Sequence, residues 1–136
     1  MKMFLFRWGP ALGLMIVIFI FSAQPRGTML VPDFKAWDFA IKKTAHVIEY
    51  ALLAALMLRG ARGESPLRPA HWLWAAALTL LYALTDEYHQ TFVAGREGHL
   101  VDVGIDAVGV TIGLTLRYWR TRALLPSPNK SEPRRR

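Results

Sequence analysis

Eighteen consecutive residues, 8–25, carry no formal charge, and the stretch PALGLMIVIFIF within them has no polar face at any helical period. A helix touching water on one side must present polar side chains along that side, so this segment does not belong at an aqueous surface. A second uncharged run of 17 residues, Pro69 to Thr85 (PAHWLWAAALTLLYALT), is apolar around its circumference apart from His71 and two threonines. At a rise of roughly 1.5 Å per residue each reaches about 25 Å, which crosses a hydrocarbon layer once flanking residues are added. Both read as membrane helices.

Two further apolar stretches carry charges at spaced positions: Lys43 to Leu58 (KTAHVIEYALLAALML) and His99 to Tyr118 (HLVDVGIDAVGVTIGLTLRY). The five tryptophans, Trp8, Trp37, Trp72, Trp74 and Trp119, all fall near the ends of the four stretches, where an amphipathic ring prefers the headgroup zone. The expected fold is therefore all-α: a polytopic membrane protein, residues 1–122, forming a bundle of four transmembrane helices near 6–23, 38–58, 70–88 and 99–119. Residues 123–136, with their basic, proline-bearing run PSPNKSEPRRR, read as a disordered cytoplasmic tail. The first span has some features of a cleaved signal peptide, with Lys2 and Arg7 ahead of an apolar core and Ser22-Ala23 after it. Phe21 stands where a small residue would be wanted, and the span is expected to be retained.

Composition excludes several function classes. The chain is 53% hydrophobic, too apolar for disorder, and with no cysteine it has no disulfide scaffold, thiol nucleophile or iron–sulfur cluster. Its 17 basic residues outnumber 10 acidic ones, yet they sit in the loops and the tail rather than among exposed aromatics, so nucleic acid is not an expected partner. Their use is orientation. Twelve of them (Lys2, Arg7, Arg59, Arg62, Arg68, Arg117, Arg120, Arg122, Lys130 and Arg134–Arg136) share one side of a four-span topology, against five (Arg26, Lys35, Lys42, Lys43 and Arg96) on the other. The positive-inside rule places both termini in the cytoplasm of a multi-pass protein of a bacterial cytoplasmic membrane.

Polar residues then gather toward the outer face. Lys43, His46 and Glu49 open the second span; Asp86, Glu87, His89 and Gln90 close the third; Arg96 lies in the loop; Asp102 and Asp106 open the fourth. Asp102 and Asp106 are four apart, and Gly109 and Gly113 continue the same helical stripe. Without side chains the glycines allow close helix packing, which would turn the carboxylates into the bundle instead of toward lipid.

The blocks Lys43-Thr-Ala-His46-Val-Ile-Glu49-Tyr50, Thr85-Asp86-Glu87-Tyr-His89-Gln90-Thr-Phe92-Val-Ala-Gly95-Arg96 and Asp102-Val-Gly-Ile-Asp106-Ala-Val-Gly109-Val-Thr-Ile-Gly113 resemble the VanZ-like family of small bacterial membrane proteins over about residues 40 to 116. Ala94 stands where a proline commonly precedes the family's Gly-Arg pair, and Asp106 where many members have asparagine. The resemblance implies a polytopic fold and an envelope-related role, the family's namesake being linked to glycopeptide resistance. It implies no particular reaction.

Ionisable groups at membrane depth cost several kcal/mol if unpaired, and persist where they pair, face water or handle a substrate. Lys43 and Arg96 could hold a phosphate, with Glu49, Tyr50, Glu87 and Gln90 completing a binding site. His46 or His89 could do proton or phosphoryl chemistry beside Asp86, Asp102 or Asp106. That set suits a hydrolase or transferase acting on a lipid phosphate head group, with membrane lipids or a lipid-linked envelope precursor as partner. No cofactor is expected. A divalent metal is the lesser option, since no recognised metal spacing is present and nearby Lys and Arg already offer neutralising charge. Beside this stands a non-catalytic account: a membrane scaffold or partner-binding protein whose charges are structural salt bridges, with Glu49-Tyr50 an interhelical tie, and His46 and His89 hydrogen-bonding within the bundle. His71 and His99 read as bystanders, and the remaining arginines as topology determinants.

Overall fold

A computed structural model describes residues 2–25 and 37–123. Four helices account for most of them: α1 (Lys2–Ser22), α2 (Asp38–Arg62), α3 (Pro69–Gln90) and α4 (Leu100–Ala123), with no strand among the described residues. Arg26 and Lys35, and all but the first residue of the expected tail, lie outside the described residues.

The helices run past the expected spans at five of the eight ends, by up to four residues, and fall within one residue of them at the other three, because hydropathy marks the apolar middle whereas the helix continues until its backbone is capped. At the end of α2 the chain turns at Gly63, whose φ of 56° lies in the left-handed region, and its N–H donates to the Arg59 carbonyl (3.2 Å). α3 starts with Pro69 at its first position, where a missing N–H costs nothing, and the Arg68 N–H donates to His71 Nδ1 (3.1 Å). Among the described residues, α1 alone is long and apolar enough throughout to cross a membrane. Only 11% of its apolar window is buried, unlike the core helix of a water-soluble domain.

Contacts fix an up-down-up-down order. Ser22 of α1 meets Asp86 of α3, and Tyr82 Oη donates to the Met15 carbonyl (2.6 Å), so α1 and α3 run parallel. Lys43 and His46 of α2 meet Asp102 and Asp106 of α4, so these two are parallel to each other. α2 is the hub, packing against all three partners. A side chain at Gly109 would meet the Val47 carbonyl oxygen at 2.5 Å, and one at Gly113 would drive into the carbonyl of Ala51. Two glycines four apart therefore let α4 lie directly on the backbone of α2. Around them Tyr50, Leu53, Ala54, Met57, Ala75, Ala83 and Val110 form the core.

At one end of the bundle, arginines tie helix to helix through the backbone. Pro10 has no N–H, which frees the Phe6 carbonyl, and Arg59 Nη2 donates to it (3.1 Å). Arg7 Nη2 donates in turn to the Gly60 carbonyl (2.8 Å), in the last turn of α2, where helical carbonyls lack partners. Gly60 itself faces the Trp8 ring, which a Cβ would meet at 2.6 Å.

Candidate functional site

The opposite end is built from side chains bonded to side chains. Asp102 and Asp106, one helical turn apart on α4, meet Lys43 and His46, three apart on α2. Lys43 Nζ lies 2.5 Å from Asp102 Oδ1, and His46 Nδ1 lies 3.1 Å from Asp106 Oδ1. With an ionised Asp106 the histidine Nδ1–H is the donor, which fixes the tautomer and turns Nε2 into the ring's basic nitrogen. Asp106 is fully buried (0% exposed), and its second oxygen, Oδ2, has no hydrogen-bond partner among the described residues.

A second group links α3 to α1. Ser22 Oγ donates to Asp86 Oδ1 (2.6 Å), and Gln90 Nε2 donates to Asp86 Oδ2 (3.0 Å) and, at longer range, to Glu87 Oε1 (3.4 Å). Arg96 Nη1 donates to Gln90 Oε1 (3.3 Å), while its Nε and Nη2 donate to the carbonyls of Gln24 (2.9 Å) and Phe21 (2.8 Å). Arg96 therefore closes the C-terminal end of α1, where exposed carbonyls and the helix dipole both favour a cation.

Glu87 joins the two groups. Its Oε2 accepts the His99 backbone N–H (3.1 Å), and it offers a carboxylate oxygen to a cluster with His46 and Asp106 whose ligand atoms all lie within 4.8 Å of one another. These are the described residues best arranged to hold a metal ion. Tyr50, also fully buried, stacks on His46 with ring centroids 6.2 Å apart and planes 20° apart. Its hydroxyl lies in the field of Asp86, Asp106 and Glu87 and has no hydrogen-bond partner among the described residues.

The sequence model of the VanZ/LLP1 family matches residues 8–121, which contain every residue of both groups. The chain belongs to the VanZ/LLP1 family. No curated protein matches it, and no solved structure does.

In this VanZ/LLP1 protein the loop after α3 owes its shape to two glycines. Gly95 takes a φ of 74°, and the Arg96 N–H donates to the Val93 carbonyl (3.0 Å), closing a four-residue turn that sends the Arg96 side chain back to α1. Gly98 passes so close to the end of α3 that a Cβ would strike the Glu87 carbonyl oxygen and come within 2.8 Å of Thr91 Cγ2; this approach brings the His99 N–H to Glu87.

Of the residues singled out in the sequence, Lys43, His46, Glu87, Asp102 and Asp106 gather at the α2–α4 side, and Asp86, Gln90 and Arg96 at the α1–α3 side. Glu49 is half-buried and near enough to His46 to interact with it electrostatically. His89 turns toward α1, its ring 4.6 Å from that of Phe19, with Nδ1 buried and without a partner among the described residues. Ser22 joins the site although its sequence context marks it only as a small residue after an apolar core. A hydroxyl ending an otherwise apolar span was the available signal. The amide of His99 matters more than its ring, which bonds the exposed Glu97 (3.1 Å).

Proposed function

We propose that this VanZ/LLP1 protein is a four-span protein of the bacterial cytoplasmic membrane, both termini inward, whose polar end faces the outer leaflet and acts on or binds a lipid-linked or phosphorylated envelope component. Large apolar side chains stand exposed on every helix, among them Ile16, Leu52, Leu81 and Leu116, as a bundle in hydrocarbon requires. The twelve-to-five distribution of basic residues supports the orientation.

The observation that carries the chemistry is the His46–Asp106 pair beside Glu87 and Lys43, all charged or polar and drawn from three helices. A carboxylate on Nδ1 makes Nε2 a base. His46 would take a proton from an attacking water or hydroxyl; as the new bond to phosphorus forms, the bond to the lipid oxygen breaks, and that oxygen receives the proton back. Lys43 is the better placed phosphate ligand, since its side chain is 23% exposed and its ammonium could exchange a carboxylate for a phosphate oxygen. Altered envelope lipids would in turn influence susceptibility to glycopeptide antibiotics.

The geometry of Arg96 favours a second, non-catalytic reading for its own part of the cluster, because its guanidinium bonds backbone carbonyls. Comparative lipidomics of cells with and without the gene, together with turnover of a phosphorylated lipid by purified protein, tests the proposal. A specific lipid should accumulate on deletion and be consumed in vitro. Unchanged lipids and no turnover would leave the scaffold account in its place. A reporter fused after Arg136 should be active only in the cytoplasm.

A further inference from the structure

We propose that His46, Glu87 and Asp106 form a binding site for one divalent transition-metal ion of the zinc or manganese kind. The three residues come from α2, α3 and α4, and each offers one ligand atom within 4.8 Å of the others. Ligands about 2.1 Å from one ion stand about 4.2 Å apart when opposite and about 3.0–3.4 Å apart when adjacent, so the widest pair must close by between about 0.6 Å and somewhat over 1 Å, with water or substrate filling the remaining positions. The 3.1 Å between His46 Nδ1 and Asp106 Oδ1 is already the spacing of neighbouring ligands, about 3.0 Å in an octahedral and 3.4 Å in a tetrahedral shell.

A cluster of this kind is also found where no ion binds, and two further observations set this one apart. Asp106 is wholly buried, yet Oδ2 accepts no hydrogen bond among the described residues, although an orphaned buried carboxylate oxygen is costly. Tyr50 is wholly buried as well, and its hydroxyl, without a partner among the described residues, lies in the field of the same carboxylates. An ion chelated by both oxygens of Asp106 would satisfy Oδ2 as well as Oδ1 and give the hydroxyl a polar neighbour. One imidazole with two carboxylates is a mixed donor set, which suits zinc or manganese better than the all-oxygen shell wanted by magnesium or calcium. On binding, the ion takes the place of the proton between Nδ1 and Oδ1, and that proton moves to Nε2, so the ring stays neutral. His46 would then no longer serve as the proton acceptor while the ion is bound.

The site stands or falls apart from the lipid reading, since it is assayed without substrate. Full-length protein purified in detergent without a histidine tag, stripped with a chelator, is titrated separately with ZnCl2 and MnCl2. One ion per chain should bind. His46→Gln, Glu87→Gln and Asp106→Asn should each weaken binding by more than about 100-fold, beyond the loss typical of an outer-shell partner. Glu97→Gln, at an exposed carboxylate, should leave affinity unchanged. Manganese bound to the unaltered protein should show nitrogen hyperfine coupling from a single imidazole, a readout independent of whether any variant folds. Absence of stoichiometric binding, absence of that coupling, or equal weakening by Glu97→Gln would overturn the site. A chain that binds metal but leaves envelope lipids unchanged would overturn the lipid reading alone.

Discussion

The two ends of the bundle use polar groups in opposite ways. At one end, Arg7 and Arg59 donate to the Gly60 and Phe6 carbonyls, so each bond satisfies an acceptor that a helix end or a proline had left open. At the other, Lys43 pairs with Asp102 and His46 with Asp106, Asp86 and Glu87 accept from Ser22, Gln90 and the His99 amide, and Asp106 Oδ2, Tyr50 Oη and His89 Nδ1 are buried without partners among the described residues. Ties from side chain to backbone carbonyl hold helices in place, although Arg7 Nε is itself buried without a partner among the described residues. At the polar end the open atoms lie at a cluster of charge, where the proposed ion would meet Asp106 Oδ2. Arg96 belongs to the second end by position and to the first by its bonding.

The severest way to break the comparison is to damage both ends together. Gly113→Leu places a side chain against the Ala51 backbone, which cannot yield as a flexible side chain would, and should cost about 3 kcal/mol, the upper end of the usual overpacking range. Folded protein recovered from the membrane should fall sharply, and with it every function. His46→Gln should separate the ends. It should lower activity by about 100-fold or more, while thermal unfolding in detergent shifts by only a few degrees. If the variant instead vanishes from the membrane, the pair with Asp106 is architecture and the polar end resembles its opposite.

Arg7→Ala and Arg96→Gln form a matched pair. Each removes a cation from helix-terminal carbonyls, and each should cost about 1.5–3 kcal/mol of stability, measured by the same unfolding, without a selective loss of activity in the protein that remains. A selective loss for Arg96→Gln would move that residue into the binding site. The smallest effect is expected at Ala94, the second residue of the turn from Val93 to Arg96, where a trans proline already has the φ required. Ala94→Pro should raise stability by about 0.4–1 kcal/mol and leave activity as it was.

Much of the architecture was legible because it is local. The uncharged runs 8–25 and 69–85 gave two helices directly, and the spacing of Asp102, Asp106, Gly109 and Gly113 showed one face of α4. Helix ends were less legible, since they depend on caps such as Gly63 and His71 and not on hydropathy. The membership of the polar cluster was readable as a list of chemically suited residues, but not as a set of pairings.

Sequence by itself determined an all-helical chain with charge gathered at particular helix ends, because apolar runs and i, i+4 spacings are properties of neighbours along the chain. Only the tertiary structure decided which groups meet. The close approach at Gly109 and Gly113 sets the register of α4 on α2, and so matches Lys43 with Asp102 and His46 with Asp106. The Gly95 turn sends Arg96 to α1, and the contact at Gly98 brings the His99 amide onto Glu87. These meetings join residues 12 to 75 positions apart, and such separations become contacts only when helix faces pack, a choice no local spacing encodes.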